Sequence, residues 1–327
     1  MKKITQQKEF GIGLVVIILG VILTVMSPAF FTTGNILDIL KANSVLGILA
    51  VGMTLVIITG GIDNSVAAMT AAVTVVISKL VVVMGSGTLS LLTVFVIAIL
   101  VGACFGLING ILIAVTKIPP IVTSLGTMTI ISGITLYISN GEYVNSSMLP
   151  AKFIAFADYK IGGVSILIFI FLITAIFTWF LLKYLTVGRD ILSFGGNPTS
   201  AMRVGINTTK VQIFVYTYMG LLAGIAGIVQ TAYNKGVDPN GFSGFELTVI
   251  AAVVLGGANI MGGSGSILGT LLGTLLLGIM QNGLILAKIN TFWQEVFVGL
   301  IILIAVSYEV LKRKREEMKL SKVEIEV

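Results

Sequence analysis

The chain has 327 residues, of which 56% are hydrophobic and 10% are charged, and its mean hydropathy is +1.08. A soluble domain carries about 25% charged residues, so this composition excludes a soluble enzyme and predicts an all-α polytopic membrane helical bundle, formed as a single domain over residues 1–327. The net charge is +6, but the basic residues cluster at the ends of apolar segments, so we expect no nucleic-acid partner and a lipid bilayer instead.

About ten apolar segments follow one another along the chain, each close to the roughly 20 residues that cross a bilayer. They lie at 11–28, 43–60, 64–84, 89–115, 121–138, 162–185, 211–233, 245–258, 265–287 and 293–310. The first segment follows Lys2, Lys3 and Lys8 as a signal peptide does, but more membrane segments come after it, which favours a retained span. Residues 11–310 are therefore the predicted membrane region, and 311–327 a charged cytoplasmic tail.

The distribution of basic residues predicts the orientation. With the N-terminus in the cytoplasm and ten alternating spans, 14 of the 20 Lys and Arg residues fall on the cytoplasmic side and 6 outside. Cytoplasmic loops carry the excess of positive charge. An even number of spans with both termini cytoplasmic is therefore predicted.

The acidic residues bear on the source of energy. A transporter driven by an ion gradient usually has an ionisable group inside the bilayer, and here only Asp63 is a candidate for depth. The sequence has no histidine, no carboxylate pair within a span and no G-x-x-x-x-G-K-[ST] phosphate loop. We predict no catalytic residue, no metal site and no cofactor in this chain. If the chain moves solute uphill, the energy should come from another subunit.

The cytoplasmic loop 186–210 contains signals for a short helix. Asn197 suits the N-cap, Pro198 the first helical position and Gly205 the position past the end. A helix of about seven residues, with Ala201 and Met202 on its face, is not stable alone in water. It is either an ordinary interfacial loop or a docking site for a cytoplasmic motor.

Glycines and polar side chains near the membrane have two readings each. The pairs Gly60–Gly61, Gly256–Gly257 and Gly262–Gly263 allow close helix packing or break helices beside a pathway. Asp63 either caps the next helix or binds solute. Polar side chains inside spans either join helices or line the translocation pathway. The pathway candidates are Asn43, Asp63, Asn64, Asn109, Thr123, Ser124, Gln230, Gln281 and Asn282.

Four stretches in order along the chain resemble the membrane permeases of bacterial ABC importers of the ribose, xylose, arabinose and galactoside type. They are Gly60–Val66, Ile118–Met128, Gly188–Gly227 and Ala251–Thr270. In the family, the third stretch looks like the element that docks to the ATPase. The residues that this resemblance assigns to docking are Gly188, Arg189, Gly195, Gly196, Asn197, Pro198, Ala201, Met202, Arg203 and Gly205.

The resemblance implies a permease in the bacterial inner membrane that imports a monosaccharide such as ribose. It implies a second permease copy, ATPase subunits in the cytoplasm and an extracytoplasmic substrate-binding protein. The chain departs from the family pattern at Asn64, Ala67 and Ser264, which leaves the solute open. Alternatives are a nucleoside, a furanosyl signal or a branched-chain amino acid, and, from a different class, an ion-coupled secondary transporter.

Overall fold

The computed structural model describes residues 2–84 and 88–290, together with 292–293, 296–297, 299–300, 303 and 307. The helices in chain order are α1 (Lys2–Met26), α2 (Thr33–Ala42), α3 (Ser44–Ile58), α4 (Val66–Met84), α5 (Thr88–Ala114), α6 (Pro120–Ser139), α7 (Ala151–Asp158), α8 (Ile166–Tyr184), α9 (Thr186–Gly196), α10 (Pro198–Arg203), α11 (Thr208–Asn234), α12 (Phe245–Leu255) and α13 (Ile267–Leu286). A 3-10 turn at Ser146–Met148 precedes α7, and an antiparallel hairpin of β1 (Lys160–Ile161) and β2 (Val164–Ser165) follows it.

The polytopic helical bundle is confirmed, whereas ten continuous spans are not. Within the described residues, 6 helices are long and apolar enough to cross a membrane, or 7 if α2 and α3, which meet at 49°, form one bent span. The predicted span 245–258 contains only α12, whose 11 residues extend about 16 Å, against the roughly 30 Å of a hydrocarbon core. The predicted span 293–310 lies mostly outside the described residues, as does the tail 311–327.

The two closely spaced segments 43–60 and 64–84 form separate helices. The chain leaves α3 at Ile58 and begins α4 at Val66. Gly60 takes a φ of +75° between them, a left-handed conformation that glycine adopts without a steric penalty. The short segment 59–65 is therefore a true break between two helices.

Helix α3 forms the centre of the bundle. All of its residues from Ser44 to Ile58 are buried, because α8, α11, α12 and α13 pack around it. Helices α5 and α11 form the closest pair. A side chain at Gly106 would meet the backbone of Gly220 at 2.9 Å, so these two backbones are in direct contact, as small residues allow in membrane proteins.

The bundle has two ends, which we name after the short helices they carry. At the α10 end, the Ser266 hydroxyl donates a hydrogen bond to the Glu9 carboxylate, which places the start of α1 there. At the α7 end, Lys235 Nζ donates to Asp158 Oδ2 over 2.7 Å. This hydrogen bond holds the pKa of Asp158 below its usual value.

Candidate functional site

The α10 end carries a helical hairpin formed by α9 and α10. The side chain of Asn197 accepts a hydrogen bond from Ser200 N at 2.9 Å, and Pro198 takes the first helical position. Gly205 follows the helix with a φ of +88°, and its N–H donates to Met202 O at 3.0 Å. The local helix therefore has the caps that its sequence predicts.

The hairpin has an anchored face and an exposed face. Ile191, Phe194 and Ala201 are buried against the bundle, at 0%, 6% and 2% exposure. Met202 and Val204 are exposed at 54% and 77%. Ala201 thus faces inward and fixes the hairpin, while the two larger apolar side chains face outward at the tip.

Other residues predicted for docking lie on the same hairpin. Gly188 is buried where a side chain would meet the backbone of Leu182 at 2.6 Å, so α9 packs directly on the end of α8. Arg189 and Arg203 are exposed. Arg203, next to Met202, adds a positive charge to the apolar tip, whereas Arg189 lies in the first turn of α9.

The hairpin contacts two of the other glycine-rich stretches. We call this contact the glycine junction; it consists of residues 58–61, 195–196 and 259–265. Gly263 N donates to Ile58 O at 2.9 Å. Gly195 packs so closely on the end of α3 that an added side-chain carbon would lie 2.9 Å from Ile58 C and 3.1 Å from Gly263 N. Gly263 itself takes a φ of +83°. The α9–α10 hairpin thus abuts the helix break after α3.

Beside the junction lies a buried polar group that we call the polar break. Asp63 Oδ1 accepts hydrogen bonds from Ser65 N at 2.9 Å and from Ser65 Oγ at 2.6 Å. Asn109 Nδ2 of α5 donates to Ser65 Oγ at 2.8 Å. The hydroxyl of Ser124 on α6 shares its proton between Ile121 O at 3.2 Å and Ile62 O at 3.4 Å. Asp63 therefore closes an Asx turn on Ser65, the residue before α4, so it does not bond an N–H of the helix itself, and α5 and α6 hold the break in place.

Four buried polar atoms near the break form no hydrogen bond with the described residues: Asp63 Oδ2, Asn109 Oδ1, Thr123 Oγ1 and Tyr216 OH. The Tyr216 hydroxyl lies directly against Gly61, where any side chain would collide with it. Buried polar groups are normally paired. The break thus retains unused hydrogen-bonding capacity.

The remaining pathway candidates are spread over the bundle. Asn43 Nδ2 donates to Ile39 O at 2.9 Å in the bend between α2 and α3. Asn282 exchanges two hydrogen bonds with Asn35, at 3.0 and 2.9 Å, so its amide joins α13 to α2. Asn64, Gln230 and Gln281 are half-buried. The pathway role of all these residues stays a prediction.

Sequence reasoning missed Ser65, Tyr216 and Asn35. Ser65 stands two residues after Asp63, and this Asp-x-Ser spacing is a local signal for an Asx turn that was available. The partners of Tyr216 and Asn35 lie far away along the chain, and no local pattern gives such contacts.

Comparison with known proteins identifies the family. A family profile described as the permease component of a branched-chain amino acid transport system matches residues 35–306. The chain belongs to this permease family. The resemblance seen in the sequence is therefore confirmed, and the protein is a multi-pass membrane permease of the bacterial type. No solved structure matches the chain.

Curated relatives of this permease are named for sugars. The ribose import permease of Escherichia coli K12 is 36% identical over 89% of this chain and 90% of its own. The D-allose permease of the same organism is 34% identical, over 94% and 93%. The L-arabinose permease of Azospirillum brasilense is 32% identical, over 95% and 90%.

Proposed function

We propose that this permease is the membrane-spanning subunit of an ATP-driven importer that carries a monosaccharide, with ribose as the first candidate. The observation that carries the proposal is full-length similarity to permeases named for three different monosaccharides. The similarity extends over both the α9–α10 hairpin and the helical bundle. It therefore supports the same transport function for this chain as for the named permeases.

The ATPase partner is proposed at the α10 end, which we assign to the cytoplasm. The α9–α10 hairpin supports this assignment, because Met202 and Val204 expose apolar surface at a tip fixed by buried side chains. A helix-in-groove contact uses such anchors. ATP and magnesium would bind to that partner, and an extracytoplasmic binding protein would deliver the sugar at the α7 end.

A second permease copy completes the proposed pathway. Helix α6 supports this, since Gly126 and Gly133 have no atom within 4 Å of where a side chain would begin. Glycines on an open helix face let a second helix approach closely. We propose a homodimer, in the same membrane, with α6 near the contact.

The second candidate solute is a branched-chain amino acid, because the family description names that class. A nucleoside or furanosyl signal would share the polar chemistry of a sugar. An ion-coupled mechanism is less well supported. One carboxylate oxygen of Asp63 is already engaged by Ser65 N and Oγ, which favours the structural role.

The test is uptake into proteoliposomes that contain the permease, its ATPase and its binding protein. Labelled ribose, allose, arabinose, galactose, a nucleoside and leucine would be offered with and without ATP. We expect uptake of one sugar that stops without ATP. Uptake of leucine and of no sugar would show that the solute is a branched-chain amino acid. Uptake driven by a proton or sodium gradient without the ATPase would overturn the mechanism.

A further inference from the structure

A cavity of about 200 Å³ lies between α4, α6 and the segment that leads into α12. Its apolar wall is formed by Ala67, Ala68 and Ala71 of α4 and by Phe242. The Phe242 ring is buried and packs edge-on against Phe245, with 5.6 Å between ring centroids. One water molecule needs only about 10–15 Å³ of such a cavity, so this cavity can admit a solute larger than water.

The cavity lies part-way along the bundle, between its two ends. Ser132, which lines it, is near the middle of the 20-residue helix α6. Glu246 and Ala67 also line it, and each belongs to the first turn of its helix, α12 and α4 respectively. Helices begin inside a membrane protein only where their free N–H groups face protein or water. Transporters commonly bind solute between such broken helices near the midplane.

The polar side chains that line the cavity are not hydrogen-bonded to other described residues. Five hydroxyl side chains of α6 donate to carbonyl groups of the same helix: Ser124, Thr127, Thr129, Thr135 and Ser139. Ser132 does not. The side chains of Ser132, Asn240, Ser243 and Glu246 all line the cavity, and none forms a hydrogen bond with another described residue. Ser132, Asn240 and Ser243 are exposed, so the cavity opens to the surface of the chain.

This combination fits a neutral polyol. A carboxylate accepts hydrogen bonds from sugar hydroxyls, an amide both donates and accepts, and an aromatic face covers the C–H groups. No basic side chain lines the cavity within the described residues. The ammonium group of an amino acid could pair with Glu246, but its carboxylate would find no cationic partner here, which makes a neutral polyol the better fit.

We propose that this cavity is the contact site through which the sugar passes at mid-depth, with Glu246, Asn240, Ser132 and Ser243 as its hydrogen-bonding groups. The proposal rests on the proposed import of a monosaccharide and assigns residues to it. A small set of polar groups suits a pathway, because a solute must bind well enough to enter and weakly enough to leave.

The test uses the complete importer in proteoliposomes, with labelled ribose, allose, arabinose and galactose as probes. Loss of one neutral hydrogen bond lowers binding about three- to tenfold, and loss of one to a charged group on the order of tenfold or more. We expect Ser132→Ala to reduce the uptake rate by the first amount and Glu246→Gln by the second. Ser132→Leu, which fills the cavity, should block uptake. ATP hydrolysis stimulated by the binding protein should stay within about twofold of the wild type.

Two matched controls lie outside the cavity. Thr129→Ala removes a hydroxyl one turn earlier on α6, and Glu142→Gln neutralises an exposed carboxylate in the α6–α7 loop. Both should transport as the wild type does. If Glu246 only stabilises the start of α12, Glu246→Gln would lower the melting temperature and leave uptake unchanged.

The outcomes separate the site from the function. If the wild type imports a sugar and the cavity variants import it equally well, the site assignment is wrong. The same holds if uptake falls only in proportion to ATP hydrolysis or to the amount of assembled complex. If the wild type imports none of the four sugars with ATP, the proposed function fails, and the site fails with it.

Discussion

Gly195→Ala adds a single methyl group where the α9–α10 hairpin packs on the end of α3, and we expect it to push the hairpin away from the bundle. The added carbon of Gly195→Ala would lie 2.9 Å from Ile58 C and 3.1 Å from Gly263 N. Carbon atoms at their optimal separation are about 3.5–4.0 Å apart. The added carbon would also collide with Ile58 O, which is closer still, so the hairpin must retreat by well over about 0.6 Å, and the Gly263 N to Ile58 O hydrogen bond is strained with it.

Overpacking of this kind costs about 1–3 kcal/mol. Because three backbone segments meet here and no flexible side chain can move aside, we expect a value toward the upper half of that range. Gly196→Ala is the matched control, since no atom lies within 4 Å of its added carbon. The neighbouring substitution should leave the stability unchanged or raise it slightly.

Two measurements on the purified permease and its complex check this prediction. Thermal unfolding in detergent should show a lower melting temperature for Gly195→Ala than for the wild type, and no decrease for Gly196→Ala. In proteoliposomes, Gly195→Ala should hydrolyse ATP with less sugar imported per ATP. Equal melting temperatures and equal coupling for the two variants would refute the reasoning from the glycine junction.

Three further predictions follow from separate contacts. Met202→Glu should weaken ATPase binding at least about tenfold in copurification, because a buried unpaired carboxylate costs several kcal/mol; Met148→Glu, with 56% exposure against 54%, should have no effect. A double-mutant cycle of Asn35→Ala and Asn282→Ala should give a coupling energy of about 0.6 kcal/mol and at most about 1.7, whereas zero coupling would contradict the reciprocal amide pair. The pKa of Asp158 is lowered by its lysine partner, so its stabilising effect should be complete above about pH 4 and disappear as pH falls below that; the difference in melting temperature between wild type and Asp158→Asn should vanish at acidic pH.

The sequence predicted those parts of the site that depend on neighbours in the chain. Asn197, Pro198 and Gly205 each act within a few residues of their own position, so their residue types were enough to place the ends of α10. Asp63 also acts locally, since it accepts from Ser65 two residues later, but in a turn before α4 and not as the cap of that helix. Capping is a local interaction, and local signals survive without knowledge of the fold.

The parts that could not be predicted depend on contacts between distant residues. Hydropathy shows that 245–258 is apolar, yet it does not show that α12 stops at Leu255. Ala201 and Met202 both looked like docking surface, but their directions depend on how α9 packs against the bundle. The junction of Gly195 with Ile58 joins positions 137 residues apart by their numbers in the sequence, and glycine alone does not name its partner.

The complete burial of α3 means that its packing cannot be finished until helices synthesised much later have inserted. The helix leaves the ribosome early, yet its neighbour Thr270 on α13, 2.6 Å from the hydroxyl of Thr54, follows only after 216 further positions. Until α13 inserts, one side of α3 must be covered by lipid or by a chaperone. A nascent chain that stalls before Ile267 would therefore leave one side of its central helix without its protein neighbour.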